Sequence, residues 1–182
     1  MIPFPFEHDG GQDLVERVSF LTDVIEADDG SEQRIAARSA PRVEVELAVL
    51  CLDPREGQRL EALLFASQPE LLGAPLWQWG GRLAADAGSG ATSFSVDVAN
   101  VPWQAGDTVL LFRDPFTWDA LPLLAASPPL SLSTSAPSTR AWPAGTLVCP
   151  MRTARLGEVV QQSLEGRDAT AARIRLALEP AP

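Results

Sequence analysis

The stretch at residues 17–50 decides the fold: RVSFLTDVIEA at 17–27, DDGSEQRIAARSAPR at 28–42 and VEVELAVL at 43–50. Its outer pieces are rich in Val, Ile, Leu, Phe and Thr, which suit the half-buried surface of a sheet. In the last piece, a period of two places apolar side chains on one face, opposite Glu44 and Glu46: Val43, Val45, Leu47, Val49 and Cys51. We predict a strand, a long charged turn and a second strand.

The first of these strands has an ambiguous beginning. Residues 12–27 carry a helical stripe of apolar side chains, namely Leu14, Val18, Leu21 and Ile25. β-branched and aromatic residues from Val18 onward favour a strand instead, and we place its start near Arg17. Asp29-Gly30 supplies turn chemistry, because glycine reaches positive φ at little cost and aspartate bonds to its own backbone.

A helix is predicted directly after the second strand, over residues 54–67. Asp53 is suited to cap its N-terminus, and Pro54 is suited to its first position. Leucines at 60, 63 and 64 form an apolar stripe, and Gln68-Pro69 ends the helical pattern.

Short apolar segments separated by Pro, Ser and Gly fill the rest of the chain. Residues 76–79 are predicted to form a short strand with both tryptophans on one face, before a break at Gly80-Gly81. Further strands are predicted at 92–98, 108–112, 121–125, 130–132, 146–148, 155–164 and 172–178. The predicted fold is therefore mainly β: a β-sandwich with one helix at 1–80, then a small β-barrel or sandwich domain at 81–182.

The composition argues against several classes of partner. The net charge is −10, and every basic residue is arginine. An acidic surface repels phosphate backbones, so we expect no nucleic-acid binding. No apolar run approaches the ~20 residues that span a bilayer, and the first residues lack a signal-peptide pattern, so we expect no membrane insertion. Cys51 and Cys149 both end apolar runs, and we expect two buried, reduced thiols.

The residues for catalysis or metal binding do not form a recognisable set. The single histidine, His8, falls in a segment predicted to be mobile, and two separated cysteines with one histidine cannot complete a zinc site. A calcium loop built on Gly30 would need ligands at Ile25 and Ala27, which have none to offer. We predict no enzyme activity, no cofactor and no metal, although Asp/Glu pairs acting on cell-wall glycans remain an alternative.

Two segments are candidates for contact with a neighbouring subunit. The N-terminal residues carry Phe4 and Phe6 beside prolines that favour extended backbone, and this arm lies either across its own domain or across a neighbour. The charged turn at 28–42 brings acidic residues close to Arg34, Arg38 and Arg42. Arginine forks pair with carboxylates in a bidentate manner, which suits subunit docking.

The chain also resembles structural proteins of tailed bacteriophages. The resemblance is carried by FLTDV at 20–24, DGSEQR at 29–34, Arg38, Pro41-Arg42 and the strand and helix that follow, and then by WQAGDTVLL at 103–111, LSL at 130–132 and AGTLVCP at 144–150. These segments look like tail-tip or baseplate proteins of long-tailed phages, including the distal tail protein group.

The resemblance implies a β-sandwich that packs into a homo-oligomeric ring with tail-tube, hub or fibre proteins, in a virion tail assembled in the host cytoplasm. It implies interface or turn-fixing roles, and no catalytic role, for Asp29, Gly30, Glu32, Gln33, Arg34 and Arg42. With Arg38 and the two N-terminal phenylalanines, these are the predicted interface residues. A carbohydrate-binding β-sandwich is the alternative, with sugars stacked on Trp77, Trp79, Trp103, Trp118 or Trp142.

Overall fold

A computed structural model describes residues 1–26, 32–36, 40–67, 70–97, 101, 103–104, 106–127, 131–165 and 169–179. These residues form thirteen strands, one α-helix and a short 3-10 helix at Trp77–Trp79. The bounds are β1 Ile2–Pro3, β2 Val15–Ser19, β3 Thr22–Glu26, β4 Glu32–Ala36, β5 Arg42–Cys51, α1 Pro54–Ala66, β6 Leu71–Pro75, β7 Gly81–Arg82, β8 Ser93–Ser95, β9 Thr108–Asp114, β10 Thr117–Ser127, β11 Ser131–Thr134, β12 Leu147–Glu165 and β13 Ala169–Leu178.

Eleven of the strands in the described part of the chain form one large sheet, which does not close on itself. Its main path runs β2-β5-β13-β12-β9-β10-β11-β8. All pairs on this path are antiparallel, whereas β1 joins β6 in parallel. The prediction of a mainly β fold of the sandwich class, with one helix, is confirmed.

Strand β12 connects the two halves of this sheet. Its first residues, 147–151, pair with β9, and residues 147–148 also pair with β7. Residues 151–155 then pair with β6, and residues 154–165 pair with β13. The sequence predicted two separate strands here, at 146–148 and 155–164, with Pro150 between them. In the structure they form one strand, because residues 147–151 pair with β9 and residues 151–155 pair with β6.

The side chains form two main cores. The first contains four of the five residues on the predicted apolar face of β5, all except Val43, together with Leu60 and Leu64 of α1. The second lies under β9 and is centred on Phe94, Leu111 and Leu132. The first core also receives side chains from the second half of the chain, because β13 pairs with β5 and contributes Ile174 and Leu176 to it.

The helix forms where the sequence predicted it. The Asp53 side chain accepts a hydrogen bond from the backbone N–H of Arg55 at 2.7 Å, and Pro54 occupies the first turn. Gly57 permits close packing on β13, since a Cβ there would lie 2.5 Å from the Thr170 hydroxyl oxygen. Among the described residues, no helix has both the length and the apolar character to cross a membrane.

Two local predictions are wrong. Residues 77–79 form a 3-10 turn, because the N–H of Trp79 bonds to the carbonyl of Leu76 and the N–H of Gly80 bonds to that of Trp77. The charged connection after β3 is not a single long turn, because β4 lies within it and pairs back onto β3.

Candidate functional site

Strands β3 and β4 form a hairpin that stands apart from the large sheet. Their register pairs Thr22 with Ala36 at one end and Glu26 with Glu32 at the other, and together they make a two-stranded sheet of their own. An isolated two-stranded hairpin is marginally stable in water, and each of its outer edges offers unpaired backbone groups. We refer to β3 and β4 as the hairpin.

Large apolar side chains are exposed on the hairpin and on the chain leading into it. Phe20 is 73% exposed, and the neighbouring Val18, Leu21 and Ile25 are all about half exposed. Single exposed apolar residues are ordinary, but four of them within eight positions form a concentration typical of interaction sites. We refer to these four residues as the apolar cluster of the hairpin, although only Ile25 lies in β3; Val18 is in β2, and Phe20 and Leu21 connect the two strands.

The N-terminal arm lies across its own domain. Phe4 and Phe6 are 0% and 1% exposed, with ring centroids 5.3 Å apart, and both belong to the first core. The backbone N–H of Phe4 donates to the carbonyl of Gly73, and the ring of His8 contacts the carbonyls of Ala48 and Gln12. The two phenylalanines assigned to an interface are therefore enclosed within the chain, and His8 is held in place and not mobile.

The other predicted interface residues are distributed as follows. Glu32 is exposed at the end of the hairpin, and the backbones of Gln33 and Arg34 lie in β4. Arg42 is exposed at the start of β5, where its Nε lies 3.0 Å from Glu44 Oε1. Asp29, Gly30 and Arg38 lie outside the described residues.

A buried glutamate on the opposite face of β5 is surrounded by arginines that the sequence did not bring together. Glu46 Oε2 lies 3.4 Å from Arg17 Nη2 and 3.3 Å from Arg175 Nη2. Its Oε1 lies 3.5 Å from Arg173 Nε. The side chains come from β2, β5 and β13, so this cluster links three adjacent strands.

A pocket of about 530 Å³ opens at the other half of the sheet, between β7, β9 and the loop that precedes β12. Three arginines line it: Arg82 on β7, Arg113 on β9 and Arg140 in the loop. Phe112 and Trp142 supply apolar walls. We call this the arginine pocket.

Hydrogen bonds fix the wall of the arginine pocket. Arg82 Nη1 donates to the carbonyl of Gly145 at 2.8 Å, and Arg140 lies over the ring of Trp142 at 5.8 Å from its centroid. Trp142 Nε1 in turn donates to the buried carboxylate of Asp119 at 2.9 Å. Gly145 has a φ of 83°, which favours glycine at this turn.

The guanidinium groups of the pocket outnumber the carboxylates that face them. Glu7 is the one acidic residue among the described lining residues. Asp119 lies 4.0 Å from Arg140 Nε, but its oxygens accept hydrogen bonds from Thr139 and Trp142. Within the described ranges, neither Arg82 nor Arg113 forms an ion pair. The pocket is thus a local cationic site on an acidic protein.

Sequence reasoning missed this pocket because its arginines lie 31 and 27 positions apart along the chain (82, 113 and 140). The three lie in separate segments of the chain, and the pairing of β9 with β12 and of β7 with β12 brings these segments together. The one local signal was the adjacency of Arg140 and Trp142, which permits a cation–π contact.

Both cysteines are free and buried. Burial, reinforced by the nearby Glu56 carboxylate, raises the pKa of the Cys51 thiol from its ordinary value of 9.0 to about 11. Burial is also the main cause of a raised pKa at Cys149, with a further contribution from Glu7. Neither thiol is therefore set up as a nucleophile, since the thiolate is the reactive form.

We expect native protein at pH 8 to react with a thiol reagent such as DTNB roughly a hundredfold more slowly than unfolded protein, because little thiolate forms at a raised pKa. The raised pKa of Cys51 also contributes to the free energy of unfolding. This contribution is fully present below pH 9, the ordinary pKa of the thiol, and is lost as the pH rises through about 11. Absorbance of the released thiolate measures the rate, and protein in urea is the control. Rapid native reaction of a thiol would contradict the buried placement.

The described residues do not bring three His, Cys, Asp or Glu side chains together in a way suited to a metal ion. The tryptophans are also dispersed. Trp142 is buried, Trp77, Trp103 and Trp118 are partly buried, and Trp79 is 39% exposed.

No model of a known protein family matches the chain. No curated protein matches it at a significant level of similarity.

Proposed function

We propose that this chain is a structural component of a bacteriophage tail tip or baseplate. It would form a homo-oligomeric ring or an adaptor between the tail tube and tip proteins such as the hub or fibre, in a virion tail assembled in the host cytoplasm. The resemblance of residues 20–42 and 103–150 to distal tail proteins supports this function. We propose no catalytic role, because the cysteine thiols and the single histidine are held in structural positions.

The observation that carries the proposal is the hairpin with its apolar cluster. Among the described residues, it pairs with no strand of the large sheet, and the side chains of Phe20 and Leu21, which precede it, are exposed to solvent. A neighbouring subunit would cover these apolar side chains and pair with an open edge of the hairpin. Both contacts would stabilise a hairpin that is only marginally stable alone.

The carbohydrate-binding alternative has weaker support. A sugar platform needs accessible aromatic faces, and only Trp79 among the five tryptophans is exposed by more than a third. Two others, Trp77 and Trp103, have their indole nitrogens buried. Tryptophans placed in this way pack in the interior of the fold and leave little ring surface on which a sugar could stack.

The proposal is tested by replacing Phe20 and Leu21 together with serine. We expect the monomer to keep its free energy of unfolding within about 0.5 kcal/mol, because both side chains are exposed. Self-association, or binding to tail-tube and hub proteins, should weaken about tenfold or more, because burial of a large apolar side chain contributes about 1.5–3 kcal/mol. Sedimentation equilibrium measures self-association, and co-sedimentation with the candidate partners measures binding to tail-tube and hub proteins.

Phe65→Ser is the matched control, because Phe65 is 84% exposed on α1, away from the hairpin. It should leave assembly unchanged. A chain that stays monomeric and binds no tail protein would overturn the proposed function. If the Phe20/Leu21 variant and Phe65→Ser weaken assembly equally, the hairpin is not the surface through which the chain assembles.

A further inference from the structure

We propose that the arginine pocket is a binding site for a dianionic phosphate group, either free phosphate or the phosphate of a small ligand such as a sugar phosphate. This inference goes beyond the proposed structural role and does not depend on it. The pocket has a volume of about 530 Å³ and is lined by Arg82 on β7, Arg113 on β9 and Arg140 in the loop before β12. Its volume lies within the range of about 300–1,000 Å³ that is usual for small-molecule sites.

The guanidinium group of Arg113 is available to an anion. Arg113 is exposed, and among the described residues its side chain makes no hydrogen bond or ion pair. An arginine fork donates two parallel N–H groups to a phosphate, which makes such a contact both strong and directional. Because no group of the described chain has to be displaced from Arg113, an anion from outside can pair with it directly.

The other two arginines are held in place by contacts that leave further N–H groups of each fork free. Arg82 Nη1 donates to the carbonyl of Gly145 at 2.8 Å, and Arg140 lies 5.8 Å from the centroid of the Trp142 ring. Trp142 is fixed in turn by its hydrogen bond to Asp119 at 2.9 Å. Groups that are already ordered lose less conformational entropy on binding, so this part of the pocket is preorganised.

The charge of the pocket matches a dianion. Its described lining residues include three arginines and one carboxylate, that of Glu7, so two positive charges are in excess. Asp119 lies 4.0 Å from Arg140 Nε, but it is not among these lining residues, and its oxygens accept hydrogen bonds from Thr139 and Trp142. A phosphate monoester carries a charge of about −1.5 to −2 at pH 7 and would balance this excess, whereas a single carboxylate would leave part of it.

A small phosphate ligand suits the pocket better than a nucleic acid does. The chain has a net charge of −10, so its overall field repels a long polyanion far more than a single phosphate group. Phe112 and Trp142 add apolar wall to the same cavity, which gives an organic group attached to the phosphate surface to contact.

Binding is measured by isothermal titration calorimetry on the full-length chain, with inorganic phosphate, glucose phosphorylated on its primary hydroxyl, and glucose. We expect both phosphates to bind, to raise the melting temperature and to bind more weakly as sodium chloride is added, whereas glucose gives no signal. Tighter binding of the glucose phosphate supports an organic ligand, and equal binding supports free phosphate as the ligand. The inference is overturned if neither phosphate binds at millimolar concentration.

Arg113→Gln tests whether the binding occurs in the pocket. We expect this variant to bind phosphate about tenfold or more weakly, because it loses a charge-assisted pair of hydrogen bonds. Arg113→Lys keeps the charge without the fork, so its affinity should lie between those of the wild type and Arg113→Gln. Urea unfolding should show little change for either variant, because the side chain is exposed and has no partner among the described residues.

Arg55→Gln is the matched control, since Arg55 is exposed on α1, lies outside the described lining of the pocket and changes the net charge equally. It should bind phosphate as the wild type does. Wild-type affinity in Arg113→Gln would overturn the inference. Equal losses in Arg113→Gln and Arg55→Gln would also overturn it, because the anion would then respond to net charge and not to the pocket.

Discussion

Phe4→Ala is expected to lower the free energy of unfolding by about 3–5 kcal/mol, the range for a fully buried phenylalanine. The ring of Phe4 is 0% exposed and packs against Phe6 in the first core. Its loss leaves a cavity and also weakens the attachment of the N-terminal segment, which the pairing of β1 with β6, the buried Phe6 and the contacts of His8 also hold. Equilibrium unfolding in urea measures the change.

Phe65→Ala serves as the control for the Phe4 experiment, because the same atoms are removed from a side chain that is 84% exposed. We expect a change within about 0.5 kcal/mol for this variant. If Phe4→Ala leaves unfolding unchanged and instead impairs assembly, the arm belongs at a subunit interface, as one alternative from the sequence proposed.

The second large effect is expected for Asp119→Ala, at about 3–5 kcal/mol of lost stability. Asp119 is 4% exposed, and its carboxylate accepts hydrogen bonds from the Thr139 N–H, the Thr139 hydroxyl and Trp142 Nε1. Alanine would leave all three donors without this partner, and the donor on Trp142 lies in the protein interior. Tryptophan fluorescence during urea unfolding reports the change close to the site.

Asp86→Ala is the control for the Asp119 experiment. Asp86 is exposed and accepts one backbone hydrogen bond, from the N–H of Ala144 at 2.7 Å. Its removal should cost about 1 kcal/mol. Equal losses for the two aspartates would mean that the network around Trp142 contributes no more than an ordinary loop contact.

The elements that could be predicted from the sequence are those specified by nearby residues. Asp53 and Pro54 define the start of α1, and alternation from Val43 onward defines β5, because both signals are local. The apolar run at 108–112 likewise becomes β9, which is buried along most of its length.

The elements that were missed depend on partners distant in sequence. Pro150 interrupts the apolar pattern, yet β12 continues through it because β9 and β6 are its neighbours on either side of this point. The arginine pocket depends on the same pairing, so no spacing of arginines along the chain could reveal it.

The position of β13 beside β5 has a consequence for synthesis on the ribosome. Cys51 pairs with Thr170, so β5 has only β2 as a neighbour until about 119 further residues have been made. At about 5–20 residues per second, this delay lasts roughly 6–24 seconds. During that interval the apolar face of β5 is incompletely covered and vulnerable to aggregation, which makes nascent-chain protection by a chaperone most valuable before residue 170 emerges.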